Sequence, residues 1–409
     1  MSKKQKTVCG LDVGTDKVCC LIALVRPDNR LQVAGYGYAQ SAGLKKGVVV
    51  NLEEAAASIR KAAREAELKS SLSADWVTVG ISGEHVQSYN SHGAIDITGK
   101  HREVTSDHMT QVIQAAQASA TPPERELLHV LPQEFYLDNR GGIRDPIGLT
   151  GQQLDADVHV VTCDSAMAQN LVNAVNKAEM RVRKVVLPQL ADTHSVLTQD
   201  EKELGVALID IGGGTSDIAL ITQDAMRYAH ALPVGGAHFT RDLSIGLRAP
   251  LEEAERLKKE YGSVYVEQVA DAEVIEFTGI STRGTRDISR RFACGLLRDR
   301  AEELLELINE KITRSGFRHQ LVSGAVLTGG GSMLHGMLPL AAQILEMPVR
   351  LGLPQSLPGL PEEWMHPIFA TAVGLIMLAR PDNAGIRMQT AKTGATPLFV
   401  NRFLSWVGS

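Results

Sequence analysis

The apolar and polar positions of the chain fall into alternating blocks. Residues 7–24, TVCGLDVGTDKVCCLIAL, run apolar, turn, apolar with Gly and Asp at the bend, which predicts a β-hairpin. Residues 51–68, NLEEAAASIRKAAREAEL, carry Asn51 as an N-cap with Glu54 three positions on, so a helix starts there. WVTVGIS at 76–82 reads as a strand, and VHVVTC at 158–163 as a strand leading into a helix capped by Asp164. VRKVVL reads as a strand before a helical stretch at 189–198. GVALIDIGGGTSDIALIT at 205–222 then repeats the hairpin pattern of the N-terminus.

Two helices and one apolar run follow. PLEEAERLKKEYG, 250–262, has Pro in its first turn, acids early, lysines late and Gly past its end, so its start, stop and dipole signals agree. From about Arg286 to Arg314, Ile288, Phe292, Leu296, Leu297, Leu304, Leu305, Ile308 and Ile312 recur at helical spacing. AVLTGGGSMLHGM, 325–337, predicts a strand, a glycine-rich turn and a helix start. The apolar run 368–379 is shorter than the ~20 residues that span a bilayer and predicts a buried helix.

Between 84 and 157 the texture changes to short strand-like pieces, one helix (DHMTQVIQAAQASA) and polar turns, as expected of an inserted α+β module. Residues 381–396 lack apolar periodicity and read as a linker. In the last segment, PLFVNRFLSWVGS, a helix of about 100° per residue puts Phe399, Val400, Phe403, Leu404, Trp406 and Val407 on one face. Bulky aromatics on a short helix after a linker suit a membrane interface, with a helix docked on the protein's own core as the alternative.

Composition narrows the function classes. The 409 residues carry a formal net charge of -5, with 42 Lys+Arg against 47 Asp+Glu, which argues against a general nucleic-acid binder. No apolar stretch follows the charged start MSKKQKT, so no signal peptide is expected. The five cysteines, Cys9, Cys19, Cys20, Cys163 and Cys294, lack CxxC or Cys/His metal spacing and read as reduced core residues of a cytoplasmic protein.

The chemistry lies in the glycine turns. Asp12 and Gly14 in LDVGTDKV match Asp210 and Gly212 in IDIGGGTSDI, the second turn being read as two residues longer. Each turn offers backbone N–H groups that glycine leaves approachable, suited to phosphate oxygens. Each also supplies a carboxylate that can hold hydrated Mg2+, so Asp12 and Asp210 are expected to bind the ion through water. A third turn, Gly329, Gly330, Gly331, Ser332 and Met333, would take the ribose and adenine edge. Neither the Rossmann spacing nor a Gly-Lys-Ser/Thr Walker A occurs.

LDVGTDKV, IDIGGGTSDIAL and VLTGGGSML resemble, in order, the two phosphate motifs and the adenosine motif of the actin, sugar-kinase and heat-shock-chaperone ATPase superfamily. The insert, with HVLPQEFYLD and IRDPIGLTG, narrows the resemblance to the FtsA family, the bacterial cell-division actin homologues, over nearly the whole chain. The resemblance implies an α/β, two-lobed actin-like ATPase fold of duplicated ribonuclease H-like cores. Lobe I core would be 1–83 and 158–197, the inserted subdomain 84–157, lobe II core 198–234 and 316–380, and lobe II's small subdomain 235–315. The linker at 381–396 and the amphipathic helix at 397–409 complete the organisation.

It also implies an ATP site. Gly14, Thr15 and Lys17 would lie at the first phosphate turn, and Gly212, Gly213, Gly214, Thr215 and Asp217 at the second. Gly235 and Gly236 match the pair that opens a helix facing the nucleotide. Glu255 and Lys258, one helix turn apart, match residues flanking the adenosine. Related filament ATPases orient the attacking water with a Glu or Gln after the strand read here as VRKVVL. This chain has Pro188 there, with Gln189 beside it and Asp192 a turn later; Gln189 is the candidate, and at most a slow ATPase is expected.

Partners follow from the same resemblance. Arg286, Arg290, Arg291 and Arg300, opposed nearby in sequence only by Asp287 and Asp299, would receive the C-terminal tail of FtsZ, because guanidinium groups pair carboxylates. The family implies self-assembly into filaments, recruitment of later division membrane proteins, and a position at the cytoplasmic face of the inner membrane at the division site. A weak lipid anchor multiplied along a filament would hold by avidity. A PilM-like pilus-assembly protein and a sugar-kinase-like phosphotransferase stay open as alternatives. The terminal helix favours the first reading over PilM, and the lack of an evident general-base carboxylate counts against a kinase.

Overall fold

A computed structural model describes residues 6–99, 101–118, 125–280 and 285–380. The linker and the expected membrane face, Phe399, Val400, Phe403, Leu404, Trp406 and Val407, lie outside them.

Two five-stranded sheets with the same strand plan form the frame. In the first, Leu31–Gln40, Lys17–Val25 and Thr7–Val13 make an antiparallel meander, and Trp76–Gly80 and Arg181–Val186 extend it in parallel. In the second, Ala225–Leu232, Ser216–Thr222 and Val206–Ile211 form the meander, and Ala325–Thr328 and Val349–Leu351 the parallel extension. This duplication is the two-lobed α/β architecture that the resemblance implies.

Strand Lys17–Val25 reads as an unbroken apolar run because both its faces are covered. Cys20 and Ile22 pack with helix Leu52–Ser70, whereas Cys19, Leu21 and Ala23 pack with Trp364, Phe369 and the helix Ala370–Leu378. All five cysteines are buried and unbridged. Helix Ala370–Leu378 is buried on nearly every side, hence its apolar sequence. It crosses helix Pro188–Val196 so closely that a Cβ on Gly374 would stand 2.0 Å from the Ala191 carbonyl oxygen. The two helices therefore touch backbone to backbone between the sheets, Ala370–Leu378 packed on the first and Pro188–Val196 on the second.

The insert differs from the sequence expectation. The strand read as 158–163 of a resumed core runs Gln153–Asp164 and lies between Val86–Asp96 and Arg125–Leu137 in the insert's own four-stranded sheet. Its burial is nearly continuous, so the apolar texture gave no sign of which sheet it joins. Helix Ser106–Ala118 covers one face of this sheet. The insert also meets lobe two. Ser88 Oγ donates to the Ala229 carbonyl at 2.7 Å, Asn90 Nδ2 to that of Arg227 at 3.1 Å, and Gln133 Nε2 to that of Met226 at 2.7 Å. All three acceptors belong to an edge strand whose outer carbonyls lack a ladder partner.

The helix expected from Arg286 begins at Arg290, because Thr285–Ser289 pairs with Val274–Thr278 as a hairpin. Ile288 is thus a strand residue, and Phe292 is 52% exposed. From Ala293 the helical pattern holds, with Leu297, Leu304, Leu305, Ile308 and Ile312 fully buried.

Candidate nucleotide site

The two hairpin turns prove identical in length. Val13 pairs with Val18 and Ile211 with Ser216, so Gly14–Lys17 and Gly212–Thr215 are matched four-residue turns. Each closes with the same bond, Gly14 N–H to the Lys17 carbonyl and Gly212 N–H to the Thr215 carbonyl, both 2.9 Å. The second turn is therefore not two residues longer; its extra glycines, Gly213 and Gly214, occupy the positions of Thr15 and Asp16 in the first. With register in hand, Lys17 stands where the second turn has Thr215, and Cys19 where it has Asp217.

The turns face each other across the lobes. A Cβ on Gly213 would lie 2.7 Å from Asp16 Cβ, and one on Gly214 would lie 2.4 Å from Thr15 Oγ1. Thr15 Oγ1 itself accepts the Gly47 N–H at 3.0 Å. The N–H groups of Thr15, Asp16, Gly213 and Gly214 have no hydrogen-bond partner among the described residues. Opposed donors of this kind suit phosphate oxygens.

The remaining glycine motifs converge on the second turn. Gly236 N–H donates to Gly212 O and Ala237 N–H to Gly213 O, both at 2.8 Å. Lys258 Nζ reaches Gly236 O at 3.1 Å and Glu255 Oε2 at 2.6 Å, so the Glu255–Lys258 pair forms one turn apart as expected. The third turn tightens into a short 3-10 segment, Gly330–Met333, rather than opening a helix directly; the helix starts at Met337. Gly329 has φ +80°, and a Cβ there would stand 1.9 Å from Asp210 Oδ1. Ser332 turns its hydroxyl inward to Gly329 O at 2.6 Å, and Met333 is 44% exposed.

An acidic centre lies beneath the turns. Lys17 Nζ meets Asp12 Oδ2 at 2.6 Å. Burial works against the lysine's charge, but Asp12, Cys19 and Asp210 outweigh it and leave the ammonium firmly protonated. Burial, joined by Asp12, pushes Asp210 up to about 6 against the opposing pull of Lys17 and Thr371. Burial and then Asp210 push Asp217 up to about 8, although Ser82 Oγ donates to both its carboxylate oxygens at 2.8 and 2.9 Å. Among the described residues no three His, Cys, Asp or Glu converge as direct metal ligands. Asp12 and Asp210 fit a cation held through water instead: Asp210 Oδ1 is buried without a hydrogen-bond partner.

Sequence reasoning named Asp192 without giving it a role and missed Thr371. Asp192, on the helix Pro188–Val196, is 0% exposed, and burial with the nearby Asp210 raises its pKa. Thr371 Oγ1 reaches Asp210 Oδ2 at 3.4 Å from the crossing helix. The available signals were a carboxylate inside PQLADTHSV and a lone hydroxyl inside the apolar FATAVGL. Gln189 is 2% exposed and lines a small cavity with Ser82, Leu187 and His230, its Oε1 without a partner. The helix start beside it is held by the insert: fully buried His129 accepts the Leu187 N–H at Nε2, 2.9 Å, and burial depresses its pKa to about 3, keeping the ring neutral.

The arginine face is not free positive charge. Arg290 pairs with Glu273 at 2.7 Å, Arg291 with Asp271, and Arg300 with Asp242 and Glu303. Arg298 pairs with Glu267 and Glu302. Most of the neutralising acids arrive from other elements and not from the sequence neighbours Asp287 and Asp299. Arg286 stands exposed on its strand.

Comparison with known proteins agrees with this geometry. The family model described as "Cell division protein FtsA" matches residues 207–374, and "SHS2 domain inserted in FTSA" matches residues 83–162. The chain is 42% identical to "Cell division protein FtsA" of Pseudomonas aeruginosa over 91% of this chain and 89% of that one. It is 36% identical to that of Neisseria meningitidis, covering 95% of each, and 34% identical to that of Escherichia coli K12, covering 98% of each. Among solved structures, the PilM-PilN type IV pilus biogenesis complex aligns at TM-score 0.65 and 17% identity, over 91% of this chain and 98% of the other. MreB5 of Spiroplasma citri bound to ADP aligns at TM-score 0.55 and 14% identity, over 92% and 97%. At those identities the two structures speak for the fold alone.

Proposed function

The chain belongs to the FtsA family of cell division proteins, and from that premise we propose that it binds ATP with Mg2+ between its lobes, polymerises on the cytoplasmic face of the membrane and anchors FtsZ filaments there. The observation that carries the nucleotide part is the matched pair of four-residue turns facing each other across the lobes. Their unpartnered N–H groups would hold phosphate oxygens, with Lys17 supplying positive charge. Asp12 and Asp210 would hold the hydrated ion, whose chemistry is to neutralise phosphate charge. Glu255, Lys258, Gly235, Gly236 and the turn 329–333 would frame the nucleoside. Gln189 stays the residue assigned to an attacking water.

The close contact between the lobes supports a link between nucleotide and assembly. The two lobes touch at the crossing of helices Pro188–Val196 and Ala370–Leu378, next to the acidic centre. A ligand bridging the turns would favour one lobe arrangement by its differential contacts. Filaments built from that arrangement would multiply a weak lipid anchor at 397–409 and so bind membrane by avidity. No helix among the described residues is long and apolar enough to cross a bilayer. FtsZ's tail is assigned to the lobe II small subdomain, and later division proteins to the assembled filament.

The test is co-sedimentation with liposomes of the full chain and of a version ending at Thr396, each with ATP and with no nucleotide. The expected result is that only the full chain pellets and that ATP increases the pelleted fraction. Equal behaviour of the two versions overturns the anchor, and indifference to ATP overturns the link to assembly.

A further inference from the structure

We propose that Asp192 is a positioning residue for the divalent cation, a third carboxylate that accepts hydrogen bonds from the ion's water shell beside Asp12 and Asp210. The inference rests on the nucleotide reading above and adds to it a residue that the glycine motifs do not contain.

Charge and hydrogen bonds at the acidic centre single this side chain out. Asp12 has Lys17 at 2.6 Å, and Asp217 has the Ser82 hydroxyl on both oxygens. Asp192 has no cation beside it, and the Thr371 hydroxyl, which eases its charge, does not reach hydrogen-bond geometry. It is wholly buried, and neither of its carboxylate oxygens has a hydrogen-bond partner in good geometry. It lies within electrostatic reach of Asp210, Asp12 and Asp217. Asp210 shares the deficiency at Oδ1. Two under-satisfied acids in one water-excluded place are costly, because a buried carboxylate needs charge or donors to replace its hydration.

A hydrated divalent ion meets both needs. Its charge offsets the acids, and its bound waters are donors that suit carboxylate oxygens. Asp192 is also held in place for the task. Its neighbour Ala191 abuts Gly374, and Thr371, one turn before Gly374 on the same helix, contacts Asp210 Oδ2. The helix that carries Asp192 thus meets the ion's other carboxylate through one threonine. Outer partners of this kind typically change metal affinity 10- to 100-fold.

The experiment titrates Mn2+ into the ATP-loaded full chain and follows free ion by electron paramagnetic resonance, for the wild type, Asp192→Asn and Asp192→Ser. Melting temperature and ATP affinity are measured in EDTA alongside. Both variants are expected to bind Mn2+ about 10-fold or more weakly. Their ATP affinity in EDTA should be unchanged and their metal-free melting temperature equal to or above the wild type's, since a buried uncompensated acid has gone. Unchanged Mn2+ affinity in folded variants overturns the inference and leaves the nucleotide site standing. Failure of the wild type to bind ATP at all, with Mg2+ or in EDTA, overturns the nucleotide reading and this inference with it.

Discussion

At the residue scale, the site depends on where a Cβ cannot go. Gly329 combines φ +80° with an approach in which an added carbon would stand 1.9 Å from Asp210 Oδ1. Only glycine tolerates both conditions without displacing the carboxylate. Gly329→Ala is expected to lower stability by about 1–3 kcal/mol in thermal unfolding and to weaken ATP binding, since the displaced group is Asp210. Unchanged stability and ATP affinity would refute this. Lys17 and Asp12 tell a related story: an ion pair so little exposed costs about 3–5 kcal/mol when one partner is removed, because the other charge is left alone. Legibility differed among these residues. Asp12, Gly14, Asp210 and the turn at 329–333 stood out because turn chemistry is local. Asp192 and Thr371 did not, because helix positions in an apolar context carry no local mark of what they face.

At the element scale, two surfaces turn on partners that sequence neighbours do not disclose. The insert is tied to the edge strand Ala225–Leu232 by the side chains of Ser88, Asn90 and Gln133 donating to backbone carbonyls. Each such bond contributes about 0.5–1.5 kcal/mol net. A triple alanine variant at these positions is expected to speed amide hydrogen exchange in the 225–232 strand while leaving the insert's own sheet protected. Equal exchange in variant and wild type would rule out the tie. The ion pairs of the arginine face limit which substitutions can test it. Arg300→Glu would set a glutamate against Asp242 and Glu303, so it is expected to lower the melting temperature whatever it does to binding. Exposed Arg286 is the cleaner probe. Arg286→Glu should weaken binding of an FtsZ tail peptide several-fold, measured by fluorescence anisotropy, with melting unchanged; full affinity would remove the tail from this strand.

At the scale of the whole molecule, function turns on a duplication. Two sheets with one strand plan bring two like turns face to face, and the copies have diverged: the first contributes the ammonium of Lys17, the second the carboxylate of Asp217. A single lobe offers one turn and one set of donors, so clamping a polyphosphate is a property of the pair. If nucleotide bridges the lobes, ATP should protect the crossing helices from exchange together and strengthen liposome pelleting of the full chain in parallel. Protection without pelleting would separate lobe closure from assembly. By itself the sequence determined the hairpins, most helix limits and the glycine turns, because periodicity, caps and turn residues act over a few neighbouring positions; the two-lobed α/β class came from the resemblance those motifs carry. Only the tertiary structure decided the equal length of the turns, the sheet that strand Gln153–Asp164 joins, the acids that neutralise the arginines, and the meeting of Asp192 with Asp210. Each of those depends on cross-strand register or on contacts between distant segments, which burial and packing select and no local pattern encodes.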